Sequence, residues 1–349
     1  MVIRHRRHAR ECDAAISRNG KLNPHDLVFR FMKRSLALII AVAFVLALAS
    51  AAVYRAEAED SVGAEKEVGS SLILSRTEIP AVTVDGAPIS QLSALAWDED
   101  EQLLYALSDR GVLFHFRVRV VGNVVKEVES VRAIPLVAGG VTDAGGRGID
   151  TEDMALSNHA NGIKGDSELF VVTEREPRFL RIRPSGTVLQ VMPVPPPLDM
   201  PENFQKLNQG LESLVLHPIH GLVTAPETPL IGAPAQRHTL YAKEGAWMFE
   251  RYSADARLKA MALLDDGDLL VLERSRVPDS KLMTASLRQV SLQACAPGHV
   301  CPAEVKLILP EDRSNFEGLA HFRGRQFFLV NDHSGKDGQG ASLLLVQLP

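Results

Sequence analysis

The sequence predicts an all-β chain of the β-propeller class, with six blades expected, and three observations carry that reading. One pattern recurs in five copies at intervals of roughly 50–60 residues, a period that belongs to propeller blades or solenoid units. Long helical periodicity is missing after residue 60. Strand-like runs also stand at both ends of that region, at 71–75 and 342–348. Pairing these two runs in one blade closes a ring and removes open sheet edges. Five copies and one degenerate blade make six, with five and seven as the neighbouring options.

Each copy consists of a strand, a turn, and an apolar second strand that ends at an acid. The fifth copy is Asn315-Phe316-Glu317-Gly318-Leu319-Ala320, a turn at Arg323-Gly324-Arg325, and a run from Phe327 to Asp332. The third couples 209–215, with Glu212, to 221–227, which ends on Glu227. The second couples 150–155, with Glu152, to 169–175, with Glu174 and Arg175. The first (92–96, then 104–110) and the fourth (258–262, then 269–274) keep the frame without the first acid, Ala94 and Ala260 standing in its place. Between copies, 111–118 alternates like a strand, and 179–182 and 188–191 flank a Pro184-Ser185-Gly186 turn. Outer strands of the third copy are expected at 239–242 and 247–252, and those of the fourth within 285–310. Asp265-Asp266-Gly267 is a hairpin turn. The proline-rich stretch 193–202 can only be a loop, one able to fold over the site. The glycine-rich 138–148 and 334–340 read as connections.

The N-terminus has its own organisation. A nearly unbroken apolar run from 35 to 53 follows Met32-Lys33-Arg34 and precedes the small-residue sites Ala49-Ser50-Ala51 and Ala56-Glu57-Ala58. Basic, apolar, then A-x-A is the order of a secretory signal peptide, and an uncleaved anchor with a basic cytoplasmic tail is the rival reading. The expected division is a basic extension at 1–31, upstream of a start at Met32, the signal peptide or anchor at 32–58, a linker at 59–70, and the propeller at 71–349. Both readings put the folded part outside the cytoplasm, periplasmic or secreted in one case, tethered to the inner membrane in the other. Cys295 and Cys301 flank a Pro-Gly turn, and a local disulfide between them suits an oxidising compartment.

Composition narrows the partners. The net charge is −5, acids and bases are interspersed, and no basic stripe alternates with aromatics, so nucleic acid is not an expected partner. Membrane contact is expected only through the N-terminal segment. No G-x-S-x-G turn is present, and a serine-hydrolase mechanism has no support.

The repeated acids are the chemical signal. In a propeller the innermost strand of every blade lines the central channel, so equivalent positions converge there. Glu152, Glu212 and Glu317 form one such set, and Asp109, Glu174, Glu227, Glu273 and Asp332 the other. Gathered carboxylates repel one another unless a cation, an arginine or backbone N–H groups offset them. Oxygen donors without a cysteine or histidine set favour calcium. All eight are therefore candidate metal ligands. Glu212, Glu317, Arg175, Arg274 and His333 are candidate catalytic or substrate-holding groups, arginine suiting a phosphate or carboxylate and His333 suiting acid–base work. The competing reading of any one acid is a structural tie between blades.

With Glu-x-Leu/Met-Ala strand starts, Ser-Asp-Arg at 108–110, Leu-Val-Leu-Glu-Arg at 270–274 and Asn-Phe-Glu-Gly-Leu-Ala at 315–320, residues 71–348 resemble a bacterial family named for the esterase-like activity of phytase. The resemblance implies an exported propeller that hydrolyses a phosphoric or other ester, and with it a small, anionic ester as the partner. Two alternatives stay open at this point. One is a propeller that binds a ligand or protein without catalysis. The other is a lactonase-like hydrolase of carboxylic esters.

Overall fold

The computed structural model describes residues 72–136, 149–206, 208–277, 283–312, 315–331 and 341–349. All of these fall in Val68–Pro349, the second of the two units into which the chain divides. The N-terminal segments, the loops at 138–148 and 334–340, and the two site candidates Asp332 and His333 lie outside the described residues.

The repeats fold as antiparallel sheets. Blade 1 consists of Leu92–Asp98, Leu103–Ser108, Val112–Val121 and Val124–Pro135, and blade 2 of Thr151–Ser157, Glu168–Thr173, Arg178–Ile182 and Val188–Pro193. Blade 3 comprises Leu211–His217, Gly221–Pro226, Arg237–Tyr241 and Ala246–Glu250, and blade 4 comprises Arg257–Leu263, Leu269–Arg276, Met283–Ser291 and Glu304–Asp312. Blade 5 joins Phe316–Arg323, Gln326–Asn331 and Ser342–Gln347 to the first strand of the domain, Leu72–Glu78. The first strands of blades 1 to 5 touch in cyclic order, blade 5 returning to blade 1, so they form the inner wall of a closed ring.

Five blades, not six, close this ring. Among the described residues the strands left over are the two-residue pair Thr83–Val84 and Ala87–Pro88 and the short Val300–Pro302 at the edge of blade 3, too little for a sixth sheet. The two terminal strands pair in one blade as expected, and that blade is blade 5. Leu72–Glu78 runs antiparallel to Ser342–Gln347, from Ile73 opposite Val346 to Glu78 opposite Ser342.

Alternation along each strand divides the apolar side chains between two interfaces. In blade 4, Leu270 and Leu272 face blade 5, where they meet Phe327 and Leu344, while Leu269 and Val271 face blade 3 and meet Val223 and Trp247. The other interfaces are built in the same way: blade 1 on blade 5 around Trp97 and Phe328, blade 1 on blade 2 around Tyr105 and Val171, and blade 2 on blade 3 around Phe179 and Leu214. Each leucine so buried contributes about 1.5–3 kcal/mol. The proline-rich stretch belongs to the last of these cores, where Val194 and Leu198 are buried beside Phe204. It seals that interface and does not line the central cavity.

Blades 3 and 4 also interlock. Val300–Pro302 lies in the connection between the last two strands of blade 4, yet it pairs in parallel with the outer strand of blade 3, Ala246 opposite Val300. Cys295 and Cys301 form the expected disulfide at the base of this excursion. Trp247 Nε1–H donates to Gln293 O at 2.7 Å from blade 3.

Asp153 is an inner-strand acid peculiar to blade 2, and its work is structural. It is fully buried at the inner wall, and its carboxylate accepts N–H bonds from Met154 (2.9 Å), Leu214 (2.8 Å) and Met261 (3.4 Å), on three successive blades. Burial pushes its pKa well up, against those three N–H groups. Asp153→Ala leaves buried donors unpaired and is expected to destabilise the protein by about 2–4 kcal/mol. Denaturant midpoints of wild type and variant measure this, and an unchanged midpoint would remove Asp153 from the blade-linking role.

Candidate functional site

The site arises from one irregularity repeated in every blade. The pairing of first and second strands slips between Leu92 and Ala94, Thr151 and Asp153, Leu211 and Ser213, Leu258 and Ala260, and Phe316 and Gly318. Such a bulge leaves one residue unpaired and re-aims its side chain. The five residues so released are Ser93, Glu152, Glu212, Lys259 and Glu317, and all five line one polar cavity of about 630 Å³ walled by every blade. Two residues further along the same strands, Leu95, Met154, Leu214, Met261 and Leu319 line a separate and mostly apolar cavity of about 320 Å³.

A second tier stands just beyond the second strands. Asp109, Glu174 and Glu227 each donate a backbone N–H to the partner strand, to Gln91 O, Asp150 O and Gly210 O at 3.0, 3.0 and 2.8 Å. In blade 4 that place is held by Arg274, which lies opposite Arg257.

Both tiers correct the sequence alignment of the repeats. Glu273 lies opposite Leu258 and so matches Ser108, Thr173 and Asn331 rather than the tier of acids. A slip of one residue turns a strand side chain to the opposite face. Glu273 therefore does not line the cavity. It is buried with His238 Nε2 at 3.1 Å and Arg288 Nη1 at 2.6 Å, and it accepts the Tyr252 N–H at 3.0 Å. Burial alone would raise its pKa, but the bond from His238, the charges of His238 and Arg288 and the Tyr252 N–H hold it below the usual carboxylate value. By the same one-residue slip, the residues that replace the missing acids are Ser93 and Lys259, not Ala94 and Ala260.

Lys259 was not foreseen, and it reorganises the site. Its ammonium pairs with Glu212, with Glu317 at 3.3 Å and with Glu227 at 3.4 Å. Burial, and next the charge of Arg274, lower its pKa to about 7. Arg274 pairs with Glu317 and donates to Asn315 Oδ1 at 3.0 Å. Arg257 pairs with Glu227 at 2.9 Å. Glu212, Glu227 and Glu317 thus already have cations supplied by the chain itself.

The same cavity holds an acidic trio, close enough to feel the Lys259 charge. Asp150, Glu152 and Glu174 bring one carboxylate oxygen each within 4.8 Å of one another. Burial raises Glu174 to about 7, opposed by the Gly210 N–H (3.1 Å) and reinforced by Asp150 and Glu227. Burial, followed by the charge of Asp109, raises Glu152 well above the usual range. Gly210 permits the approach, since a Cβ there would lie 2.7 Å from Glu174 O. Arg175 Nε pairs with Asp150 at 2.6 Å at the rim. Three crowded oxygen donors, two of them held back from ionising, fit a hard divalent cation.

Of the sequence candidates, Asp109, Glu152, Glu174, Arg175, Glu212, Glu227, Arg274 and Glu317 all line the one cavity. Asp150, Arg257 and Lys259 were missed as site residues. A signal for Lys259 was present: aligning the copies on Leu95, Met154, Leu214, Met261 and Leu319 places it under the glutamates.

Fold and site together define a five-bladed propeller with a charged axial cavity whose acidic trio could hold a metal ion. The chain belongs to the phytase-like family described as esterase-like activity of phytase, whose profile matches residues 87–334. No curated protein matches it significantly. Among solved structures it is similar to a virginiamycin B lyase from Staphylococcus aureus, with 9% identity, 73% of this chain, 66% of that chain and a TM-score of 0.35. It is also similar to a putative gluconolactonase (10% identity, 80% and 93% covered, TM-score 0.37) and to U3-55K (8% identity, 78% and 98% covered, TM-score 0.42). These likenesses are too loose to carry an argument.

Proposed function

We propose that the protein is an exported, cation-assisted hydrolase of anionic esters, phosphoric esters first among them. The observation that carries the reading is a single cavity lined both by an acidic trio and by the cations Arg175, Arg257, Lys259 and Arg274. Asp150, Glu152 and Glu174 would hold calcium. Bound there, it would polarise a phosphoryl oxygen and lower the pKa of bound water. Arg175 and Arg274, joined by Arg257, offer the forked donors that suit the substrate's anionic group. Lys259 holds Glu212, Glu227 and Glu317 in place, leaving Glu212 and Glu317 as the candidate proton acceptors beside these cations.

Export is supported by the order of charge and apolarity in residues 32–58 and by the Cys295–Cys301 disulfide. Among the described residues no helix is long and apolar enough to cross a membrane, and the apolar run at 35–53 lies outside them. N-terminal sequencing of the mature protein tests export with cleavage, and an intact residue 1 on a soluble protein would sink it.

Hydrolysis of aryl phosphate, phytate and aryl acetate, each with calcium and with chelator, tests the activity. Calcium-dependent phosphate release is the expected result. A second reading, a binding propeller without catalysis, is favoured by the compensation of three glutamates by Lys259, Arg257 and Arg274. It predicts calcium-dependent stability and no turnover on any ester. Cleavage of acetate alone would point to the lactonase-like alternative.

A further inference from the structure

Every inner strand runs from the polar cavity to the apolar one, so the five hairpins that join first to second strands ring the apolar end of the axis. The cavity there, about 320 Å³, has the volume of a small ligand pocket. Its lining is mostly leucine, methionine and Trp97, and it reaches solvent at Asp265, whose side chain is 72% exposed. The mouth is acidic. In the hairpins Glu99, Asp100, Glu101, Asp166 and the aspartates of 264–268 stand against Lys164 and Arg325. Arg323, at the end of its strand, donates to Gln326 and to Gly122 O. Neutral donors hold several of these carboxylates without cancelling their charge. Asp100 accepts the N–H groups of Asn161 and Gly162 at 2.8 and 2.9 Å, Glu101 that of Gly165 at 2.7 Å, and Glu99 the Trp97 indole N–H at 2.7 Å. His159 also lines the cavity. Burial lowers its pKa, so the imidazole adds no positive charge at pH 7. Its Nδ1 is buried without a hydrogen-bond partner among the described residues.

We propose that this end of the axis is a separate ligand site, one that takes a small cation with an apolar body, an aryl- or alkylammonium. The body fills the cavity lined by Met154, Leu214 and Met261, and the ammonium stays at the mouth, where acids beside an apolar wall focus negative potential. His159 Nδ1 is an acceptor for one ammonium N–H when the ring proton sits on Nε2. An alcohol of the same shape gains the burial without the charge, and a carboxylate is repelled, so the mouth sets the selectivity. This site is independent of the hydrolase reading, since it shares no residue with the polar cavity.

The test is calorimetric titration of the full chain, in saturating calcium, with 2-phenylethylammonium, 2-phenylethanol and 3-phenylpropionate. Wild type is compared with Asp265→Asn and Asp265→Lys, exposed positions whose replacement leaves the core intact. The ammonium should bind most tightly and the carboxylate least. Asp265→Asn should weaken the ammonium about fivefold, Asp265→Lys more, and neither should move the alcohol. Added salt should weaken the ammonium alone. Because Trp97 lines the cavity, its emission should change on binding. Equal affinities for the three probes would overturn the site, as would no binding of any. Ammonium binding that ignores both Asp265 variants would also overturn it, placing the ligand elsewhere, the acidic trio included.

Discussion

Lys259→Met is expected to lower stability by about 3–5 kcal/mol at neutral pH, the usual cost of removing one partner from a buried ion pair. Glu212 suffers most, because Glu227 retains Arg257 and Glu317 retains Arg274. Stripped of the ammonium, these buried carboxylates ionise less readily, and their folded-state pKa values rise. A carboxylate whose pKa is raised on folding contributes stability that is present at low pH and lost as pH rises through the folded value. The variant's deficit is therefore larger at pH 7 than at pH 5. Urea midpoints at the two pH values measure it. An equal deficit at both would mean that Lys259 acts through packing and not through charge.

The second large effect concerns the acidic trio. Glu174 is raised from 4.5 to about 7, so the calcium-free protein should lose stability as pH rises through that window, as the buried carboxyl is forced to ionise. A bound cation needs the ionised form, and binding must expel the proton below about pH 7. Because Glu152 is held above the usual carboxylate range as well, calcium affinity should consequently rise at least tenfold per pH unit up to about pH 7 and keep rising beyond it while Glu152 still carries a proton. Saturating calcium should cancel the loss of stability. Calorimetric titration in buffers of different ionisation enthalpy counts the released protons directly. Glu152→Gln, which removes one charged donor, should weaken calcium at every pH. Calcium binding that ignores both pH and Glu152 would place the ion away from this trio.

The propeller was legible from periodicity, because each blade must repeat the same alternation to bury its two faces, and apolar spacing records this directly. Closure by the terminal strands was legible for the same reason. An unpaired Leu72–Glu78 would have left an open edge. Blade number was not, since whether five sheets already close a ring depends on how the first strands meet in space, which no local pattern records. The identity of most axial acids also came from the repeat alone. Their register did not: a bulge inserts one residue in each first strand, and a one-residue slip in blade 4 exchanges Glu273 for Arg274 and Ala260 for Lys259. Sequence determined which residue types reach the axis and how often. Only the tertiary pairing decided that a lysine stands among the glutamates and that Asp150, Glu152 and Glu174 cluster in the same cavity, because facing direction in a strand depends on hydrogen-bond register rather than on residue type.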